Sequence, residues 1–303
     1  MKGLKAKKFL IGSAQNEHTG VTVILAPKGA VGGVDVRGGA PGTRETDLLR
    51  GANLVKKIHA VTLCGGSAFG LEACCGVMDF LSENKIGHKT VTHPVPIVTG
   101  AVIYDLNDKT AIHYPDKAMG YAACLNAVRV EDAVRGSVGA GTGATVGKIR
   151  GTKFADKGGL GIATLKWMGV TVTAVIAVNA LGDVYDCETN TIVAGAKDKN
   201  GAYIDTHETL IKADFAKLIG GSNTTIGVIL TDAKLTREEA NKVAALAHDG
   251  LARSIKPIHT MADGDTMFCM SAGSKPVNLI AFGAVAAEAT RLAVLDAVKK
   301  ENA

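Results

Sequence analysis

An α+β fold built mostly on antiparallel sheets is what this chain predicts. Helical and strand-like segments come in blocks rather than in regular strand-helix alternation, which points to packed layers. Of 303 residues, 47% are hydrophobic but only 4% aromatic, and 37 are glycine, so the core is one of Val, Ile, Ala and Leu with tight turns and close backbone packing. Such a chain can bury a substantial core as one large domain or two small ones. No internal repeat or low-complexity stretch divides it, and 1–303 reads as a single domain.

Gly20–Ala26 and Ala30–Val36 read as two strands joined by the Pro27-Lys28-Gly29 turn, a hairpin. Thr43 caps a helix running to about Lys57, with Leu48, Ala52 and Val55 on one face. A short strand, Ala60–Leu63, leads through Gly65-Gly66 into a second helix capped by Ser67 and ending near Asn84, with Gly87 marking its stop. Gly169–Asn179 is a long β-branched run, Gly182–Tyr185 turns back beside it, and Thr224–Thr231 is another strong strand. Thr236-x-x-Glu239 is a capping box for a helix ending before Pro257, with Leu235 placed over its first turn. Asp265–Ala272 is a strand, and the last helix runs from about Pro276 to Lys299.

Composition narrows the function classes. The formal charge of +5 is modest and spread out, with no basic run beyond Lys5–Lys8 and no aromatic interleaving, which argues against a nucleic-acid partner. Phe9-Leu10-Ile11-Gly12 is too short for the core of a signal peptide, and Val277–Val298 carries Glu288 and Arg291 at helical spacing, so it reads as a buried amphipathic helix rather than a membrane span. The six cysteines lack a Cys-x-x-Cys pair and most sit in apolar segments, as free thiols of a reducing cytoplasm do. Eight histidines show no His-x-x-x-His pair, and His207-Glu208 lacks the second histidine of a zinc hydrolase motif, so no metal and no cofactor are expected.

The segment Gly221-Ser222-Asn223-Thr224-Thr225, opening at once into Ile226-Gly227-Val228-Ile229-Leu230, reads as a place where the chain can cut itself. A turn feeding a β-branched strand holds the Asn223 carbonyl still, with a Thr hydroxyl one peptide bond away, as an N-to-O acyl shift requires. Cleavage before Thr224 would leave one residue carrying both a hydroxyl nucleophile and an α-amine that titrates near about 7.7 to 8.0 and can take the hydroxyl proton. The ordinary reading is a turn before a strand.

Gly-x-Asn-Thr-Thr-Ile with Thr231-Asp232-Ala233 resembles the processing junction of the self-processing L-aminopeptidase/D-esterase peptidase family, which includes the β-aminopeptidases and the nylon-oligomer (6-aminohexanoate oligomer) hydrolase. Further blocks match in order: Gly65-Gly66-Ser67-Ala68-Phe69-Gly70-Leu71-Glu72, Ala101–Leu106, Gly139-Ala140-Gly141 through Gly147-Lys148, and Asp263-Gly264-Asp265-Thr266. The resemblance implies a four-layer αββα sandwich, shared with the ornithine acetyltransferases and similar in its layers to N-terminal-nucleophile hydrolases with different connectivity. It also implies an autocleaved chain, 1–223 as α subunit and 224–303 as β subunit. The expected activity is hydrolysis of linear amides: short peptides, amino-acid amides or esters, and 6-aminohexanoate oligomers. Cytoplasmic homo-oligomers, tetrameric or larger, are expected, without nucleic-acid or membrane partners. An acyltransferase of the ornithine acetyltransferase type and a non-catalytic protein of the same fold are the alternatives.

By the same resemblance Thr224 is the nucleophile and Thr225 is not. Asp263 and Asp265 lie across a glycine, and if both face the Thr224 hydroxyl or ammonium they can orient it, while mutual repulsion helps one of them hold a proton; on residues alone a solvated turn is the alternative. Asp-Gly-Asp resembles the nylon-hydrolase branch, whereas the aminopeptidase members carry Ser-x-Glu there. Lys148 follows a glycine-rich stretch that fails both as a dinucleotide fingerprint and as a P-loop, since Thr142 stands where the first glycine belongs and Ile149 follows the lysine. The resemblance places Lys148 near the nucleophile, as a base or oxyanion partner. Asn179, ending a β-branched run, is an oxyanion donor by the same resemblance or else a turn former. Tyr104 offers a phenol to substrate or nucleophile, or is a core tyrosine. Gly66 and Ser67 miss the Gly-x-Ser-x-Gly elbow because Phe69 replaces its last glycine, leaving Ser67 a helix cap whose neighbouring amides face the acyl oxygen.

Overall fold

The architecture was read from a computed structural model, which describes residues 4, 8–212 and 223–299. Gly221 and Ser222 of the junction lie outside the described residues. The strands are β1 (Leu10–Gln15), β2 (Gly20–Val36), β3 (Thr43–Arg44), β4 (Lys57–Cys64), β5 (Val98–Val102), β6 (Thr145–Val146), β7 (Asp156–Lys157), β8 (Gly159–Trp167), β9 (Val170–Asn179), β10 (Asp183–Asp186), β11 (Thr191–Ala194), β12 (Thr224–Ala233), β13 (Ile255–Lys256) and β14 (Thr266–Lys275). The helices are α1 (Ala73–Glu83), α2 (Lys117–Leu125), α3 (Thr206–Lys212), α4 (Arg237–Ser254) and α5 (Leu279–Ala297).

A nine-stranded sheet in the order β3-β5-β4-β2-β14-β12-β9-β8, with β1 also on β2, folds over on itself. Period-two alternation sorts its side chains into separate cores. Ile24, Val61, Leu63 and Ile103 from one half meet Val175, Ala177, Ile226, Val228, Phe268 and Met270 from the other half. Val21, Val23, Leu25, Ala60 and Val98 face α1 and α2 on one outer side. Ala174, Ile176, Ile229, Met267 and Cys269 face α4 and α5 on the other. Helix, sheet, sheet and helix are thus the four layers of an αββα sandwich, as the resemblance implied.

The bend that makes two layers of one sheet lies in β2. The expected hairpin is instead one strand of 17 residues. Its first half pairs with β1 and its second half with β14, while β4 runs along both halves with a register shift between Leu25 and Ala30. Pro27-Lys28-Gly29, with Gly29 at φ +73°, is a bulge within a strand.

The expected helix from Thr43 to Lys57 is absent. Thr43 and Arg44 pair with β5, a single 3₁₀ turn spans Asp47–Leu49, and Gly51 at φ +54° ends it. Backbone carbonyls of this loop are taken by side chains, Asn53 on Asp47 and Arg50, and Arg237 of α4 on Gly51 and Val55. Tertiary pairing here overrides a helical pattern. Ser67 likewise caps nothing: it opens a 3₁₀ stretch, Ser67–Glu72, at φ +53°, and α1 begins only at Ala73. The segment after β9 also departs from expectation, since β10 leaves the main sheet and pairs with β11 and β13.

The capping box at Thr236/Glu239 forms as expected and starts α4. Helices α4 and α5 approach so closely that a Cβ on Gly250 would sit 2.1 Å from the Ala287 carbonyl oxygen. Gly250→Ala is therefore expected to cost about 1 to 3 kcal/mol of unfolding free energy by overpacking, read from chemical denaturation. An unchanged midpoint would mean that these helices can part freely.

Candidate active site

Thr224 opens β12, pairs in the ladder with Asn179, the last residue of β9, and is only 4% exposed. One residue earlier Asn223 bridges in parallel to Asp263. The Thr224 hydroxyl donates to the Asn223 carbonyl oxygen. The Gly264 N–H donates to the same carbonyl at 3.1 Å and lies 3.2 Å from Thr224 Oγ. A Cβ at Gly264 would stand 2.7 Å from the Ala40 carbonyl oxygen and 2.8 Å from Thr224 Oγ, so close approach, not an unusual φ, demands glycine between the two carboxylates.

Both carboxylates are fully buried. Asp265 Oδ1 accepts the Thr225 N–H at 2.6 Å, so its direct tie is to the peptide after Thr224. Its Oδ2 accepts from the His259 N–H at 3.0 Å and from His259 Nδ1 at 2.8 Å. Asp263 Oδ2 accepts the Thr260 N–H at 2.9 Å and the Thr260 hydroxyl, while its Oδ1 is buried without a partner among the described residues. Burial, and then repulsion from Asp265, pushes the Asp263 carboxyl up to about 6.

Lys148 reaches this corner because its backbone is pinned beside the strand end: the Gly147 and Lys148 N–H groups donate to the Gly182 and Leu181 carbonyls, each at 2.9 Å. Gly147 must be glycine, at φ +74° with a Cβ position 1.9 Å from the Ala196 nitrogen. Lys148 Nζ donates to the Asn179 carbonyl at 3.0 Å and to Asn179 Oδ1 at 2.8 Å. Burial lowers its ammonium to about 7, against the pull of Asp263 and Asp105.

The Asn179 amide is held from both ends. Oδ1 also accepts the Thr145 N–H at 3.0 Å, and Nδ2 donates to the Tyr104 carbonyl at 2.8 Å. Donors on one side and an acceptor on the other fix the amide's orientation, with one Nδ2 hydrogen used on Tyr104 and Oδ1 turned onto Lys148. Tyr104 enters the network through its carbonyl, with its side chain half-buried.

Gly66 and Ser67 do not offer their amides to a pocket as expected. The Gly66 N–H goes to Asp105 Oδ1 at 2.6 Å and the Ser67 N–H to the Ile103 carbonyl at 2.9 Å. Asp105 also takes the Thr19 hydroxyl at 2.7 Å, and burial raises its carboxyl to about 6. Asp105, His259 and Thr260 were missed in the sequence. Thr260-x-x-Asp263 has the spacing of a side chain closing on a backbone N–H three residues away, which could have pointed to Thr260; Asp105 carried no such sign.

His18, Asp108 and His113 come together from distant positions, with candidate ligand atoms within 4.8 Å of one another. His113 Nε2 is 3.2 Å from Asp108 Oδ2, and the two imidazoles stack at 3.9 Å with a 9° interplanar angle. Imidazole lone pairs lie in the ring plane, so stacked rings do not aim at one ion.

A layered αββα sandwich with a buried hydroxyl, a carboxylate pair and a lysine gathered at the ends of interior strands defines an amide-bond hydrolase of N-terminal-nucleophile-like architecture. A family profile for peptidase family S58 matches residues 1–302, and the chain belongs to that family. It is 45% identical over 266 residues to an uncharacterised aminopeptidase of Mycobacterium leprae, covering 84% of this chain and 71% of that one. It is 35% identical over 308 residues to the 6-aminohexanoate-oligomer endohydrolase of Paenarthrobacter ureafaciens, covering 95% and 83%. Among solved structures, a Burkholderia β-aminopeptidase superposes with TM-score 0.66 at 22% identity, over 96% of this chain and 84% of that one. The L-aminopeptidase D-Ala-esterase/amidase of Ochrobactrum anthropi gives 0.68 at 17%, with the same coverage. Among the described residues no helix is long and apolar enough to cross a membrane.

The buried charges set a pH signature. Asp105 and Asp263 are raised to about 6, so the folded chain holds their protons more tightly than the unfolded chain, and their stabilising contribution is lost as pH rises through about 6. Lys148, lowered to about 7 from 10.5, has the opposite sign: its contribution is present above 10.5 and lost as pH falls through about 7. Urea midpoints of the intact chain should therefore dip between about pH 6 and about pH 7, with the alkaline side of the dip flattened in Lys148→Met. A level profile in both proteins would contradict this account.

Proposed function

We propose that the chain cuts its own backbone between Asn223 and Thr224, and that the new N-terminal Thr224 then hydrolyses linear amides. The observation that carries this reading is the contact at the junction: the Thr224 hydroxyl meets the Asn223 carbonyl oxygen, and the Gly264 N–H points at that same oxygen. In the first stage Oγ attacks the Asn223 carbonyl carbon, Lys148 takes the hydroxyl proton, and the developing oxyanion is held by the Gly264 N–H. Collapse breaks the Asn223–Thr224 C–N bond, the amine leaves with a proton, and water resolves the ester to an Asn223 carboxylate and a free Thr224. A base near about 7 is half-neutral at physiological pH, as this step requires.

In the second stage the freed α-amine serves as base for its own hydroxyl. Oγ attacks a substrate amide, the substrate amine leaves, and water releases the acyl group. Asp263 and Asp265 orient the Thr224 ammonium, and Asn179 holds Lys148. Short peptides, amino-acid amides and 6-aminohexanoate oligomers are the substrates this reading favours. The Asp-Gly-Asp sequence and the likeness to the Paenarthrobacter ureafaciens endohydrolase incline it toward the oligomers. Assembly into homo-oligomers of processed units belongs to the same reading.

Intact mass under denaturing conditions tests the first stage. Wild type should split into pieces of about 23 and about 8 kDa, whereas Thr224→Ala should stay whole; cleavage that survives in Thr224→Ala and stops in Thr225→Ala would move the nucleophile by one residue. The splitting rate should rise with pH around a midpoint near about 7, the value to which Lys148 is lowered, and Lys148→Met should arrest it. A midpoint near about 6, the value of Asp263, would transfer the role of base to that carboxylate.

A further inference from the structure

Consecutive residues grip the two carboxylates, each with a backbone and a side-chain donor. His259 presents its N–H and ring Nδ1 to Asp265 Oδ2 at 3.0 and 2.8 Å. Thr260 presents its N–H at 2.9 Å, and its hydroxyl, to Asp263 Oδ2. We propose that His259 and Thr260 are a two-residue clamp that positions the Asp265/Asp263 pair and makes its members unequal. This rests on the reading that Thr224 and these carboxylates form the reacting centre.

The backbone supports a selected geometry. His259 sits at φ +59°, a left-handed conformation that a histidine adopts at a cost. In that conformation its own N–H and its ring converge on one oxygen. The ring must carry its proton on Nδ1, because an ionised carboxylate can only accept. Nε2 is buried without a hydrogen-bond partner among the described residues. The His248 ring packs edge-on against it, centroids 4.7 Å apart at 74°, and burial lowers that imidazole to about 3, so the neighbour adds no positive charge.

The clamp leaves the second oxygens of the two carboxylates in different situations. Asp265, with Oδ2 held by His259, turns Oδ1 onto the Thr225 N–H at 2.6 Å and so anchors the first peptide of β12. Asp263, with Oδ2 held by Thr260, leaves Oδ1 as a buried oxygen without a hydrogen-bond partner among the described residues. His259 and Thr260 touch no reacting atom; they act through the carboxylates.

Substitution with and without the donor tests this. His259→Phe and Thr260→Val remove the side-chain donors while keeping bulk. His259→Asn restores a donor at the Nδ1 position and tolerates the left-handed backbone, and Thr260→Ser restores the hydroxyl. The readouts are the rate of splitting by intact mass and kcat and KM on an amino-acid p-nitroanilide. His259→Phe and Thr260→Val should lower kcat by about tenfold to a hundredfold with KM little changed, and the conservative partners should recover most of it. Wild-type kcat in both Phe and Val variants, losses confined to KM, or conservative variants as slow as the others would overturn the clamp. If His259→Phe does not fold, the Thr260 pair decides. Thr224→Ala is run beside them: retained activity there sinks the nucleophile reading itself, whereas an inactive Thr224→Ala with fully active clamp variants sinks only the clamp.

Discussion

Strand β12 lodges between an antiparallel neighbour, β9, and a parallel one, β14, and the chemistry of the chain depends on that placement. A parallel neighbour starts at the same end, so Asp263-Gly264-Asp265 arrives beside Asn223 and Thr224. An antiparallel neighbour finishes there, so Asn179 closes the other side. Two strand beginnings and one strand end thereby meet at one end of three interior strands. Register keeps them so, because a slip of one residue along β12 would turn Thr224 to the opposite face and carry Ile226, Val228 and Leu230 out of the inter-sheet core.

What gathers at that end is costly to bury. Lys148, Asp105, Asp263 and Asp265 all lie inside, and each makes directed hydrogen bonds to the protein. Many of those bonds come from backbone N–H groups, at Gly66, Thr225, His259 and Thr260. Walls of this kind need main chain to come within bonding distance of side-chain oxygens. That explains some of the glycine in the composition: a Cβ at Gly65 would lie 2.0 Å from the Thr19 hydroxyl and 2.4 Å from Asp105.

The parts of the fold legible in the sequence were those with strong local signals. Strands β9, β12 and β14, the capping box of α4 and the long apolar α5 carry their patterns within a few residues. The bent β2 was not legible, because Pro27-Lys28-Gly29 suits a hairpin turn and a bulge equally, and the choice belongs to the partners β1, β4 and β14. The false helix after Thr43 failed for a related reason: its polar groups find β5, Asn53 and Arg237 instead of each other. At the site, the residues that carry the resemblance do converge, since Thr224, Asp263, Asp265, Lys148 and Asn179 form one network. The roles of Gly66, Ser67 and the Asn179 amide depended on where hydrogen bonds point, which no residue type reveals in advance. His259 meets the site only through Asp265, so nothing in its identity announced it, and Thr260 was signalled only by its spacing to Asp263.

The neighbours of β12 also govern the order of events in the life of the chain. Its residues, Thr224–Ala233, are almost all buried, with hydrogen-bonded partners along both edges. A piece beginning at Thr224 and made by itself would keep the β12–β14 pair but leave the β9 side of β12 and the β2 side of β14 open, a template for aggregation. Inside the assembled sandwich the same strand is held laterally at every step, and continuity of the chain ahead of Thr224 contributes little to keeping it there. Under the proposed processing, synthesis as one polypeptide acts as a chaperoning device: β9 and β2 supply the slot that β12 and β14 fill, and the covalent link is dispensable only once the slot is filled.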